Sequence, residues 1–104
     1  MTLLSTKLRS VGYKNHFMGK WDNGHFTDDY LPVNRGFHTS SGFLNSGEDH
    51  FNQRADGAGC AVDYWKDLAP DHRNGSYDAY MYQRDLPPLF AAHDPSDPMF
   101  LFMS

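Results

Sequence analysis

Cysteine is nearly absent from this chain. Cys60 stands alone, so no internal disulfide can form, and no second thiol sits at metal-ligand spacing beside it. Clustered positive charge is also missing. Nine Lys and Arg face 13 Asp and Glu, a net charge of −4 with His neutral. Nucleic-acid binding needs a cationic face to neutralise phosphates, so no nucleic-acid partner is expected. No apolar run approaches the roughly 20 residues that cross a bilayer, so no membrane span is expected. The opening Met1-Thr2-Leu3-Leu4-Ser5 meets charge at Lys7 and Arg9 before a signal-peptide core can build. His16, His38, His50, His72 and His93 are scattered without an H-x-x-x-H or Cys-His spacing, which predicts no zinc site and no metal ligands here. Apolar content is low as well, with a mean hydropathy of −0.66. A chain this short buries only about two thirds of its unfolded surface. Aromatics, at 15%, are plentiful enough to exclude a disordered tail. The balance fits part of a core better than a whole one.

Leu3, Leu4, Leu8 and Val11 fall at helical spacing and Gly12 can close the turn, which predicts a short amphipathic helix over residues 3–11. The aromatic, apolar stretch within 14–21 reads as a buried strand. Residues 22–59 hold most of the glycines and repeated turn signals, among them Asp22-Asn23-Gly24, Leu31-Pro32, Asn34-Arg35-Gly36, Ser46-Gly47 and Asp56-Gly57. They predict a long irregular loop, with at most a short helix around 42–44. So long a loop in a compact domain is uncommon unless it serves a site. A brief strand is expected over 60–65 and a turn at Asn74-Gly75. A second helix starts near Tyr77, and Pro87-Pro88 should kink or split it. Met99-Phe100-Leu101-Phe102-Met103 has the profile of a strand buried on both faces. The fold class is α/β: a few strands with flanking helices and a long irregular loop. Unpaired sheet edges are expected around 14–21 and 98–103, and with them aggregation or marginal folding.

Several short motifs occur in a familiar order. They are Leu-Arg-Ser-Val-Gly-Tyr at 8–13, Met-Gly-Lys-Trp at 18–21, Leu31-Pro32 and Arg35-Gly36-Phe37. Gly42-Phe43-Leu44, Gly47-Glu48-Asp49-His50-Phe51, Cys60-Ala61-Val62-Asp63-Tyr64 and Pro98-Met99-Phe100-Leu101-Phe102 follow. Each is weak alone, but the series over nearly the whole chain resembles the sulfatase family, most of all its arylsulfatase B-type branch. The resemblance implies an alkaline-phosphatase-like α/β fold, of which residues 1–104 would be an internal part of the catalytic domain. It also implies sulfate ester substrates, the remainder of a sulfatase domain as partner, and a secreted, lysosomal or periplasmic setting.

Sulfate ester hydrolysis needs a nucleophile, neutralisation of the sulfuryl oxygens and protonation of the leaving alcohol, usually with a metal holding the sulfate. In the family the nucleophile is a formylglycine made from the cysteine of C-x-[PA]-x-R. Cys60 is followed by Ala61, Val62, Asp63 and Tyr64, so that motif is absent. The family's calcium is held by a paired aspartate and an Asp-Asn pair, which the resemblance places outside this segment. Asp28-Asp29 lies in a polar loop and reads as solvated. Lys20 matches the family lysine that reaches the sulfate, and it ends a strand, where α/β sheets place ligands. Asp22 stands where the family has a catalytic histidine. An aspartate there is anionic and repels sulfate, and Asp22-Asn23-Gly24 also reads as an ordinary turn. His25 could replace the missing imidazole only after a loop shift. Arg35 is expected to anchor its loop through backbone carbonyls or a carboxylate. The isolated chain is therefore expected to be an inactive sulfuric ester hydrolase segment; the alternative is a non-catalytic sulfatase-derived binding module.

Overall fold

A computed structural model describes residues 1–55, 61–73 and 75–104. Five strands form one sheet in the spatial order β6-β5-β2-β1-β7. Three of them run parallel: β1 (Lys14–Lys20), β2 (Thr39–Phe43) and β7 (Met99–Met103). The short strands β5 (Trp65–Lys66) and β6 (Ala69–Pro70) extend the sheet antiparallel beyond β2. A separate hairpin pairs β3 (Glu48–Asp49) with β4 (Arg54–Ala55). Helices α1 (Leu4–Ser10) and α2 (Asp78–Ala91) complete the regular structure, with short 3-10 turns at Asp28–Tyr30 and Pro32–Arg35. No helix among the described residues is long and apolar enough to cross a membrane.

Strand β1 supplies alternate residues to the two faces of the sheet. Phe17 meets Trp21 edge-on at 5.2 Å and Phe37 at 5.6 Å, and stacks on Phe102 at 5.9 Å. Phe17, Trp21 and Phe37 make the core on one face with Leu31 and Leu44, and Leu3, just before α1, packs against it. Only Leu3 and Leu8 of the predicted α1 stripe turn inward; Leu4 and Val11 are exposed. Instead α1 is fixed by polar bonds. Ser5 is buried, and its Oγ donates to the Arg35 carbonyl at 2.6 Å. Asn15 Nδ2 donates to the Ser5 and Gly36 carbonyls at 2.7 and 2.9 Å. Helix α2 covers the other face, where Pro88 and Leu89 stand over Met18, Thr39 and Ser41 across a cavity of about 230 Å³.

Four expectations are corrected. Residues 22–59 are not one irregular loop, because Thr39–Phe43 is an interior strand whose last four residues are buried. Its sequence, Thr-Ser-Ser-Gly-Phe, hides this, since its burial rests on small size and side-chain bonds rather than apolar area. Ser41 Oγ lies 2.9 Å from the Tyr64 hydroxyl, Thr39 Oγ1 lies 2.8 Å from His16 Nδ1, and the Ser40 amide donates to Asp67 Oδ1 at 2.7 Å. Gly42 is required there: a Cβ would run into the Gly19 carbonyl of β1. Second, β1 is no edge, being flanked by β2 and β7. Third, β7 is the edge strand, and Phe102 and Met103 are exposed rather than buried on both faces. Fourth, α2 is not split into two pieces at Pro87-Pro88 but runs through both prolines as one 14-residue helix. The carbonyls those prolines leave unpaired, on Gln83 and Arg84, belong to exposed residues that water can reach. The brief strand expected over 60–65 appears only at its end, as β5, and Cys60 lies outside the described residues. The turn at Asp56-Gly57 also lies outside them, as does Asn74.

Candidate functional site

Because β1 and β2 are parallel and paired Lys20 to Phe43, their carboxyl ends open on the same rim of the sheet. The two chains leave it side by side: the Trp21 amide donates to the Phe43 carbonyl at 2.9 Å and the Asp22 amide to the Leu44 carbonyl at 3.2 Å. Asp22 adopts a left-handed backbone, φ 50°, which reverses the chain immediately after Trp21. Asn23 Nδ2 donates to the Trp21 carbonyl at 2.9 Å, and the Trp21 indole N–H is shared by the Gly24 and Tyr30 carbonyls at 3.0 Å each. Asp22-Asn23-Gly24 is therefore a bend in the chain, anchored by Trp21. It brings the Asp22 carboxylate to 3.8 Å from Lys20 Nζ, with both side chains more than a third exposed. His25 is exposed on the following loop, and Asp28-Asp29 sit exposed in a 3-10 turn. Arg35 anchors its segment as expected, donating to the Met1 carbonyl at 3.0 Å.

Beyond β2, Asp63 organises the rim. One carboxylate oxygen accepts from the Leu44 amide at 3.1 Å, and the other accepts from the Asn45 amide and Asn45 Nδ2 at 2.8 Å each. The hairpin β3–β4 follows. The His50 ring meets Phe43 edge-on at 6.2 Å, so it sits at this same end of the sheet. His50 Nδ1 lies 2.7 Å from Asp78 Oδ2 and 4.0 Å from Glu48 Oε1. Glu48's side chain has no exposed surface; among the described residues no amide, hydroxyl or cationic group donates to either of its oxygens, and the Asp78 carboxyl lies beside it. Burial, then the nearby charges of Asp78 and Asp63, pushes its pKa up to about 8. The Tyr82 hydroxyl is buried too, and burial raises its pKa. Spacing along the sequence missed this group, since Asp78 lies 28 residues beyond His50. The local signal available was Glu48-Asp49-His50, two residues of alternation in a short strand.

The implied calcium does not fit the residues present. Asp28-Asp29 is a solvated pair, and both Asp63 oxygens already accept hydrogen bonds. The only convergent ligand set among the described residues is Glu48, His50 and Asp78. It contains an imidazole, whereas calcium takes six to eight oxygens.

No family model matches the sequence. The chain is 37% identical over 105 residues to mouse (Mus musculus) arylsulfatase J, an alignment covering 97% of this chain and 18% of that protein. The chain is a sulfatase homologue. It spans less than a fifth of the length of that relative. The fold agrees: the solved structure of Ps i-CgsB superposes with a TM-score of 0.77 at 20% identity, over 99% of this chain and 26% of that one. A second structure of Ps i-CgsB, in complex with k-i-k-neocarrahexaose, gives 0.74 at 19% identity over 96% and 25%. The α/β class expected for this sulfatase homologue is thus the one observed.

Proposed function

We propose that this chain supplies the sulfate-facing lysine of a sulfuric ester hydrolase scaffold and, by itself, turns over no substrate. The observation that carries the reading is the position of Lys20, at the carboxyl end of a parallel strand and half open to solvent. An ammonium held there can neutralise sulfuryl oxygens as charge builds on them in the transition state. It can neither attack sulfur nor protonate a leaving alkoxide while also serving as the fixed cation. Cys60, without the C-x-[PA]-x-R context, offers no formylglycine. A binding module derived from a sulfatase is the second reading, and Asp22 favours it. Its carboxylate, 3.8 Å from Lys20 Nζ, competes with any anion for that ammonium.

Purified chain with a chromogenic aryl sulfate and added calcium should give no product above the blank. Sustained release of sulfate would overturn the inactive reading. A chimera in which this chain replaces the matching segment of arylsulfatase J separates the two proposals. In it, Asp22→His should raise turnover, and adding Lys20→Ala should then lower it by roughly two orders of magnitude. A chimera that hydrolyses equally well with and without Lys20 would remove the sulfate role from that residue.

A further inference from the structure

We propose that Glu48, His50 and Asp78 form a binding site for one zinc-class divalent cation. Two carboxylates and an imidazole are a donor set that suits zinc and neighbouring transition metals, not the hard cations. The separations fit. Ligands about 2.0–2.1 Å from a tetrahedral ion stand about 3.3 Å from one another. His50 Nδ1 is 2.7 Å from Asp78 Oδ2 and 4.0 Å from Glu48 Oε1, values on either side of that distance. All three ligand atoms lie within 4.8 Å of one another, so approaches of about 1.5 Å or less would bring them to ligand spacing.

Glu48 supplies the independent reason to expect a ligand. Its side chain is fully out of water, no amide, hydroxyl or cationic group among the described residues donates to either oxygen, and the Asp78 carboxyl lies beside it, an arrangement that needs a shared proton or a cation to offset it. The frame is fixed from both sides. The Asp78 amide donates to the His50 carbonyl at 3.0 Å, and Gln53 Nε2 donates to the His50 and Ser76 carbonyls at 3.4 and 2.8 Å. The Gly75 amide donates to the Phe51 carbonyl at 2.9 Å. His50's side chain is half exposed, which leaves a path for the ion and room for a water as fourth ligand. The inference does not depend on the sulfate reading of Lys20.

The test uses the untagged 104-residue chain, stripped with a chelator and titrated with Zn²⁺ against a chromophoric chelator. One equivalent should bind. Glu48→Gln and His50→Ala should each weaken binding at least tenfold, while His72→Ala leaves it unchanged. Should Glu48→Gln fail to fold, His50→Ala decides, since that side chain is half in solvent. Co²⁺ added to the unmodified chain should also give visible bands of a four- or five-coordinate site that one equivalent of Zn²⁺ abolishes. No saturable binding, no such bands, or equal affinity in His50→Ala would each overturn the site.

Discussion

Two charged groups occupy the same rim of the sheet, and they differ in their access to water. Lys20 and Asp22 form a pair of opposite charges with both side chains more than a third exposed. Glu48, His50 and Asp78 place two carboxylates around one imidazole, with Glu48 wholly buried. The first pair is screened by solvent, so it constrains the fold little and leaves Lys20 available to an anion. The second brings two acids together out of water, so it must hold either a shared proton or a cation. Their supports differ too. Lys20 stands on the parallel strands of the main sheet, whereas the buried cluster hangs between a two-residue hairpin strand and the first turn of α2.

The largest expected effect removes the shared foundation. Gly42→Ala would drive a Cβ into the Gly19 carbonyl, where neither backbone can give way without breaking the β1–β2 ladder. The loss should exceed about 3 kcal/mol, a large share of the stability of a small domain. Urea denaturation followed by tryptophan fluorescence should show no cooperative transition. A normal transition would mean that β1 and β2 are not held in this register.

Gln53→Ala should separate the two regions. Gln53 is fully buried, and its side-chain amide ties the His50 and Ser76 carbonyls together. Removing it takes the donor from the half-buried Ser76 carbonyl, while the His50 carbonyl keeps the Asp78 amide, at a cost of about 1 kcal/mol. Hydrogen exchange should accelerate at the Gly75 and Asp78 amides while the Trp21 and Asp22 amides keep their protection. Equal acceleration at both places would show that the hairpin and the sheet open as one unit.

Acid should act on the opposite half of the sheet. Burial first, then the charges of His38 and His93, holds the His16 pKa below its ordinary value. Burial first, then Arg9 and Lys14, does the same for His38. The unfolded chain therefore binds more protons just below pH 6.5, so this contribution is present above that pH and lost as pH falls through it. Each unit of separation between folded and unfolded pKa corresponds to about 1.4 kcal/mol. Glu48, with its folded pKa raised to about 8, acts in the opposite sense over this window, so the histidine contribution is read as a difference: between about pH 7.5 and 5.5 the unmodified chain should lose stability relative to His16→Gln. An unchanged slope in that variant would assign the acid sensitivity elsewhere.

These regions were not equally legible in the sequence. Phe17, Trp21 and the Gly-Lys-Trp motif announced β1 because aromatic residues and a terminal glycine mark a buried strand. Strand β2 carried no such mark. Thr39, Ser40 and Ser41 read as loop, and only the partners His16, Tyr64 and Asp67, each more than 20 residues away, make them strand. Pro87-Pro88 misled in the other direction, because the helix lies where water can serve the carbonyls left bare. Lys20 and Asp22 were singled out from the family resemblance, with Lys20's place at the end of an apolar strand as support. The grouping of Glu48, His50 and Asp78 depends on how a hairpin docks on α2, and no local pattern encodes that.

The smallest effect belongs to the exposed pair, and its smallness is informative. A double-mutant cycle on Lys20→Ala and Asp22→Asn should give a coupling below about 1 kcal/mol, because solvent and side-chain entropy offset most of the attraction between exposed charges. Raising the salt from 0.01 to 0.15 M shortens the screening length from about 30 to about 8 Å and should lower the coupling further. A weak pair can be opened at little cost, so an arriving sulfate can take the ammonium from Asp22. A coupling above about 2 kcal/mol that resisted salt would instead make Lys20 a structural strut, bound to its neighbour and closed to anions, and the site proposed on it would fail.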